Sequence, residues 1–235
     1  MPDDSLSEKP HYVGHRQRLK ERFLERGATA LADYELLELM LFHAKPRGDV
    51  KPLAKELIRN FGSFAAVMAA PPEELALIDG IGENSVIMIK TVQAAALLMQ
   101  KQELLDKPIL DSWDALIGYC HSVMAHEKVE QFRLVFLNGK NAVIADELQQ
   151  RGTVNHTPVY VREVMKRVLD LGASALVMIH NHPTGDPKPS RDDIQMTQTI
   201  KQALEKIDVR LYDHIIIGKS GHSSLRTMGL IDRRR

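Results

Sequence analysis

His180 and His182 stand two residues apart, and Ser190 and Asp193 follow at fixed distances in the stretch His180-Asn181-His182-Pro183-Thr184-Gly185-Asp186-Pro187-Lys188-Pro189-Ser190-Arg191-Asp192-Asp193. The apolar run Ala175-Leu176-Val177-Met178-Ile179 leads straight into His180. The pair should therefore close a buried strand, where residues i and i+2 point to the same side. Two imidazoles then face one point, and the carboxylate of Asp193 is the obvious third donor. Zinc takes nitrogen and oxygen ligands in a tetrahedron, and catalytic sites usually keep the fourth position for water. These residue types at this spacing predict a zinc centre held by His180, His182 and Asp193.

The elements that must position this site divide the sequence in two. Residues 15–100 carry a helical pattern, with Leu36, Leu37, Met40 and Leu41, and again Leu53, Leu57 and Ile58, recurring at helix spacing. Residues 101–112 mix charge with Pro108 between two different patterns, which places a linker there. Residues 113–235 then read as α/β. A strand over residues 132–137 meets a hairpin-type turn at Asn138-Gly139, and a return strand starts at Ala142. Thr157-Pro158 can cap a helix reaching Leu171, which Gly172 ends before the strand that delivers His180. A helix over residues 191–206 and a strand over residues 211–217 complete the pattern. The expected fold class is α/β overall: an all-α domain, then a mixed sheet covered by helices. Residues 1–14 and Arg233-Arg234-Arg235 read as tails.

Composition narrows the function classes. The 235 residues are 44% hydrophobic, as in soluble globular proteins of one large or two ordinary domains. Lysine and arginine number 31 and are cancelled by 31 aspartates and glutamates, so no global basic field exists to hold nucleic acid or an anionic membrane. The single cysteine, Cys120, excludes an internal disulfide and any cysteine-rich zinc module, which suits a reducing compartment. Met1-Pro2-Asp3-Asp4-Ser5 is polar and acidic, and no run of about eighteen apolar residues occurs. The expected location is cytoplasmic, with no membrane partner.

From Glu130 to Asp193 the sequence resembles the JAMM (MPN-plus) metallopeptidase family. Its pattern is an upstream glutamate, His-x-His, seven residues, Ser, two residues and Asp, which His180, His182, Ser190 and Asp193 match without a gap. The resemblance implies hydrolysis of a peptide or isopeptide bond in a peptide or protein substrate by zinc-activated water. A base must take the water proton and pass it to the leaving amine, and the family uses a glutamate where a strand begins after a helix. Glu127, Glu130 and Glu147 are available; Glu130, directly before Gln131-Phe132-Arg133-Leu134, is the choice, and Glu147 beside Asp146 is the alternative. His126-Glu127 opens like the helical His-Glu-x-x-His motif, but Glu130 occupies the second histidine position. In the family the serine helps to stabilise the oxyanion; Ser190-Arg191-Asp192-Asp193 also fits a helix capping box.

Asn181 stands where deubiquitinating members usually carry Ser or Thr, so ubiquitin is not carried over as the substrate. His-Asn-His-Pro followed by Gly185-Asp186-Pro187 instead resembles the bacterial RadC-like subfamily. That likeness extends to Gly14-His15-Arg16-Gln17-Arg18-Leu19, to Asp33-Tyr34-Glu35-Leu36-Leu37-Glu38 and to Asp213-His214-Ile215-Ile216-Ile217-Gly218. His214 opens an apolar strand and is expected behind the ligands or in the core.

Residues 75–90 resemble a helix-hairpin-helix, with Gly80-Ile81-Gly82 as the turn and Val86 and Ile89 facing inward. Such turns bring helix N-terminal amides up to a phosphate and grip DNA backbone without reading sequence. DNA is therefore a possible partner, and a DNA-associated accessory protein with a structural or vestigial metal site is the competing functional class. Glu83 beside the turn would repel phosphate. Arg16, Arg18, Lys20, Arg22 and Arg26 are interleaved with Glu21 and Glu25, as on a solvated helix. Packing or partner docking is the alternative role of the hairpin.

Overall fold

The computed structural model describes residues 14–152 and 160–231, and contacts divide the chain into two compact units, Met1–Ala94 and Ala95–Arg235. The first unit is helical: α1 (His15–Arg26), a single 3-10 turn, α2 (Asp33–Ala44), α3 (Lys51–Phe61), α4 (Phe64–Ala69), α5 (Pro72–Leu75) and the start of α6 (Glu83–Leu104). Pro52 sits in the first turn of α3, where its missing N–H costs nothing. The Ser63 hydroxyl accepts from Ala66 N at 3.1 Å and starts α4. Leu19, Leu37, Leu41, Leu57, Leu75 and Ile89 are buried together as the core of this unit. In the hairpin, Gly80 adopts φ +82°, and the Lys45 ammonium donates to its carbonyl at 2.6 Å.

The second unit adds α7 (Trp113–Met124), α8 (Val161–Asp170) and α9 (Arg191–Glu205) to five strands: β1 (Gln131–Leu137), β2 (Val143–Arg151), β3 (Ala175–Asn181), β4 (Arg210–Gly218) and β5 (Gly221–Ser224). Strand order is β2-β1-β3-β4-β5. The β3–β4 pair is parallel and the other three pairings are antiparallel, so the sheet is mixed and the fold is α/β as expected. A parallel pair needs a crossover, and α9 is its helix. Every residue of β1 and of β3 is buried, because both faces of the sheet are covered. Val135, Val177, Ile179, Ile215 and Ile217 pack with Leu116 and Met124 of α7. Phe132, Leu134, Met178 and Ile216 pack with Val164 of α8 and Ile200 of α9.

Residues 101–112 were expected to link the halves, and they are more structured than that. Helix α6 continues to Leu104, since no breaker precedes Pro108; Leu105 then bridges Val143, and Pro108 bridges Ala142. Ile109 N donates to Asn141 O at 2.8 Å, and the Ile109 side chain is fully buried. The β1–β2 loop is longer than a two-residue turn: Asn138 Oδ1 accepts from Lys140 N and Ala142 N, and Asn141 takes the left-handed position at φ 57°. Helix α8 begins at Val161, so the expected Thr157-Pro158 cap lies outside the described residues, as do residues 1–13 and the terminal arginines. Among the described residues no helix is long and apolar enough to cross a membrane.

Gly218 closes β4 against the loop that follows β3. A Cβ there would meet Gly185 O at 2.3 Å and Pro187 Cδ at 2.7 Å, and Lys219 N donates to Gly185 O at 3.0 Å. The loop over residues 182–190 is thus seated directly on the end of β4.

Candidate metal centre

His180 lies in β3 with its side chain fully buried, His182 follows just past the strand end, and Asp193 occupies the first turn of α9. One donor atom from each of the three lies within 4.8 Å of the others. His180 Nε2 is 3.0 Å from His182 Nε2 and 3.1 Å from Asp193 Oδ1, and His182 Nε2 is 3.4 Å from Asp193 Oδ2. Local structure explains the convergence. Strand alternation puts both histidines on one face. The turn in which Gly185 N donates to His182 O then folds the chain back toward Ser190, the N-cap of α9.

Hydrogen bonding around the cluster fixes which ring nitrogens carry protons. The Thr197 hydroxyl donates its one proton to Asp193 O at 2.5 Å, so it must accept from His214 Nδ1 at 2.6 Å. Burial first, and then the neighbouring His180, push the His214 pKa well below its ordinary value, so the ring is neutral. Its Nε2 is then an acceptor, and His180 Nδ1 donates to it at 2.8 Å. His182 Nδ1 likewise donates to the carbonyl of Asp186 at 2.8 Å. In its neutral form, each of these two imidazoles spends its one proton away from the cluster. With both rings neutral, the two Nε2 atoms and the carboxylate can take up a cation; without one, a proton on Nε2 must bridge to Asp193.

Electrostatics agree with that demand. Burial alone would raise the Asp193 pKa, but hydrogen bonding with His180, His182 and Ser190 holds the carboxyl well below the usual range. The His182 pKa is raised, foremost by its hydrogen bond with Asp193 and also by the charge of Glu130. Glu130 is half-buried immediately before β1, and its backbone carbonyl accepts from Gly152 N at 2.8 Å. The other two glutamates each pair with an arginine. Glu147 is bound by Arg167, whose Nε donates at 2.9 Å, and Glu127 is bound by Arg151 at 2.9 Å.

Ser190 is the N-cap of α9: its hydroxyl accepts from Asp193 N at 3.1 Å and donates to Asp193 Oδ2 at 2.7 Å. The Ser190 N–H also donates to Asp193 Oδ2 at 2.7 Å, which completes a capping box. His214 does not join the donor atoms and stands behind His180. Thr197 went unnoticed in the sequence, although its position four residues after Asp193 places the two on one helix face. Phe132, stacked on His180 with ring centroids 6.5 Å apart, closes the apolar side.

Comparison with known proteins agrees with this architecture. Residues 110–230 match the model of the RadC-like JAB domain, and residues 12–87 match the UPF0758 N-terminal domain. A UPF0758 protein of Ruegeria pomeroyi is 52% identical over 223 residues, which cover 94% of this chain and 100% of that protein. The two matched regions fall on the helical unit and the sheet unit, and the chain belongs to the UPF0758 family of proteins with a RadC-like JAB domain.

Proposed function

We propose that the chain is a zinc-dependent hydrolase of peptide or isopeptide bonds, with His180, His182 and Asp193 holding the ion. The observation that carries this reading is the convergence of one nitrogen each from His180 and His182 with the Asp193 carboxylate. Two nitrogens and one oxygen form a donor set suited to zinc, and three protein ligands leave a position open for water. When bound, zinc would lower the pKa of that water to about 7 and polarise the carbonyl under attack. Glu130 would accept the proton of the attacking water and return it to the leaving amine. Ser190 keeps Asp193 aligned through the capping box, where its hydroxyl proton goes to Asp193 Oδ2; to stabilise a developing oxyanion it would have to exchange that bond.

Metal analysis of the purified chain tests the foundation. The wild type is expected to carry zinc near one equivalent, and the His180→Ala, His182→Ala double variant none. Equal, negligible zinc in both proteins would sink the proposal.

The hydrogen-bond relay behind His180 yields a second expectation. His214→Phe keeps an aromatic ring in the cavity but removes the acceptor that fixes the His180 tautomer. Zinc affinity measured by chelator competition should fall roughly 10- to 100-fold, the usual effect of losing an outer partner. An affinity equal to that of the wild type would remove His214 from the site.

A further inference from the structure

Asn181, between the two histidines, projects to the opposite face of β3 and is almost fully buried. Its partners lie fifty residues upstream. Oδ1 accepts from Gln131 N at 2.8 Å, and Nδ2 donates to Val129 O at 3.2 Å, with Glu127 O farther off at 3.5 Å. The Val129 carbonyl belongs to the peptide group preceding Glu130, and the Gln131 N–H belongs to the one following it. One side-chain amide therefore grips both peptide groups that flank the Glu130 Cα.

The ladder explains why a side chain is needed there. The β1–β3 pairing ends at Phe132↔His180, and the Asn181 side chain takes over one residue beyond. Gly152 N, donating to Glu130 O, holds the same following peptide from the β2 side. Asparagine meets the requirement because it presents one acceptor and one donor at short reach. Aspartate lacks the donor, and serine is too short to span both groups. The orientation of the amide is fixed by its partners, since Gln131 N can only donate and Val129 O can only accept.

We propose that Asn181 is the positioning residue for Glu130. It locks the backbone that carries the base to the strand that carries the two histidine ligands, so that base and metal keep one geometry. This role rests on the hydrolase reading given above.

The full chain loaded with cobalt(II) tests it, with Asn181→Asp, Asn181→Ser and Glu130→Gln compared with the wild type. The readouts are cobalt affinity, the pH midpoint of the visible cobalt spectrum, and turnover in a peptide screen. Both Asn181 variants are expected to keep the cobalt affinity of the wild type. Their spectral midpoint should move in the same direction as in Glu130→Gln, and kcat should fall by about 100-fold, the scale of an ångström-sized misplacement. A merely structural role would leave the midpoint in place. Asn181 variants that bind cobalt and keep both the wild-type midpoint and kcat overturn the proposal, as does loss of the folded circular dichroism signal in both. A wild type that takes up no cobalt overturns the hydrolase reading and, with it, the positioning role.

Discussion

Zinc-loaded Glu130→Gln should keep its metal and lose turnover by about 100- to 10,000-fold, the range associated with removing a general base. At about 1.36 kcal/mol per decade, that corresponds to roughly 3 to 5.5 kcal/mol of transition-state stabilisation. The substitution preserves shape and removes only the ability to accept a proton. Glu130 is the choice because it stands at the entry to β1, the strand paired with the one that carries His180, and its charge contributes to the raised His182 pKa. The measurement is a peptide-library screen with zinc content determined on the same samples. Glu147→Gln and Glu127→Gln should turn over like the wild type. Undiminished turnover in Glu130→Gln, or its collapse in Glu147→Gln, would move the base.

Asp146→Ala is expected to destabilise the sheet unit by about 3 to 5 kcal/mol, because it strands a buried charge. Arg133 and Asp146 are 9% and 8% exposed, and Arg133 Nη1 donates to both carboxylate oxygens at 2.8 and 2.7 Å. The Tyr119 hydroxyl donates to Oδ2 at 2.7 Å, and Lys101 approaches it at 3.5 Å. Burial first, and then the charge of Asp146, raise the Tyr119 pKa, so the phenol remains a neutral donor. Alanine removes the acceptor for Arg133 and Tyr119 and the counter-charge for Lys101, which keeps its bond to the residue's backbone carbonyl. Denaturant unfolding measures the loss, and a change below about 1 kcal/mol, as for a surface pair, would refute the account. Replacing both Arg133 and Asp146 by apolar residues should recover much of the stability, since a buried pair contributes little over good apolar packing.

The convergence of His180, His182 and Asp193 was legible because its signal is local. An apolar run ending in His-x-His fixes the face by strand alternation, and Ser190-x-x-Asp193 announces the helix start. Glu130 was harder to read, since nothing in its spacing links it to His182; the link is made across β1 and β3. Asn181 was visible only as a departure from a related motif, because both of its main partners lie about fifty residues away. Strand β5 went unread: Gly221, His222, Ser223 and Ser224 show no apolar alternation, and their pairing with β4 holds them in place. The helix through Leu104 was cut short because charge and Pro108 suggested a boundary, while the buried Leu104 and Ile109 are tied down by β2 and its loop.

The three candidate metal donors all come from residues 180–193, one strand end and the first turn of the next helix, whereas Glu130 stands at the entry to β1, which is brought beside them by pairing with β3. Closing the short segment costs little chain entropy; bringing in the distant glutamate costs more. On the proposed mechanism, capturing the ion and using it are therefore separate folding events. On that mechanism, a chain that had closed only the local segment would still lack the base that hydrolysis needs.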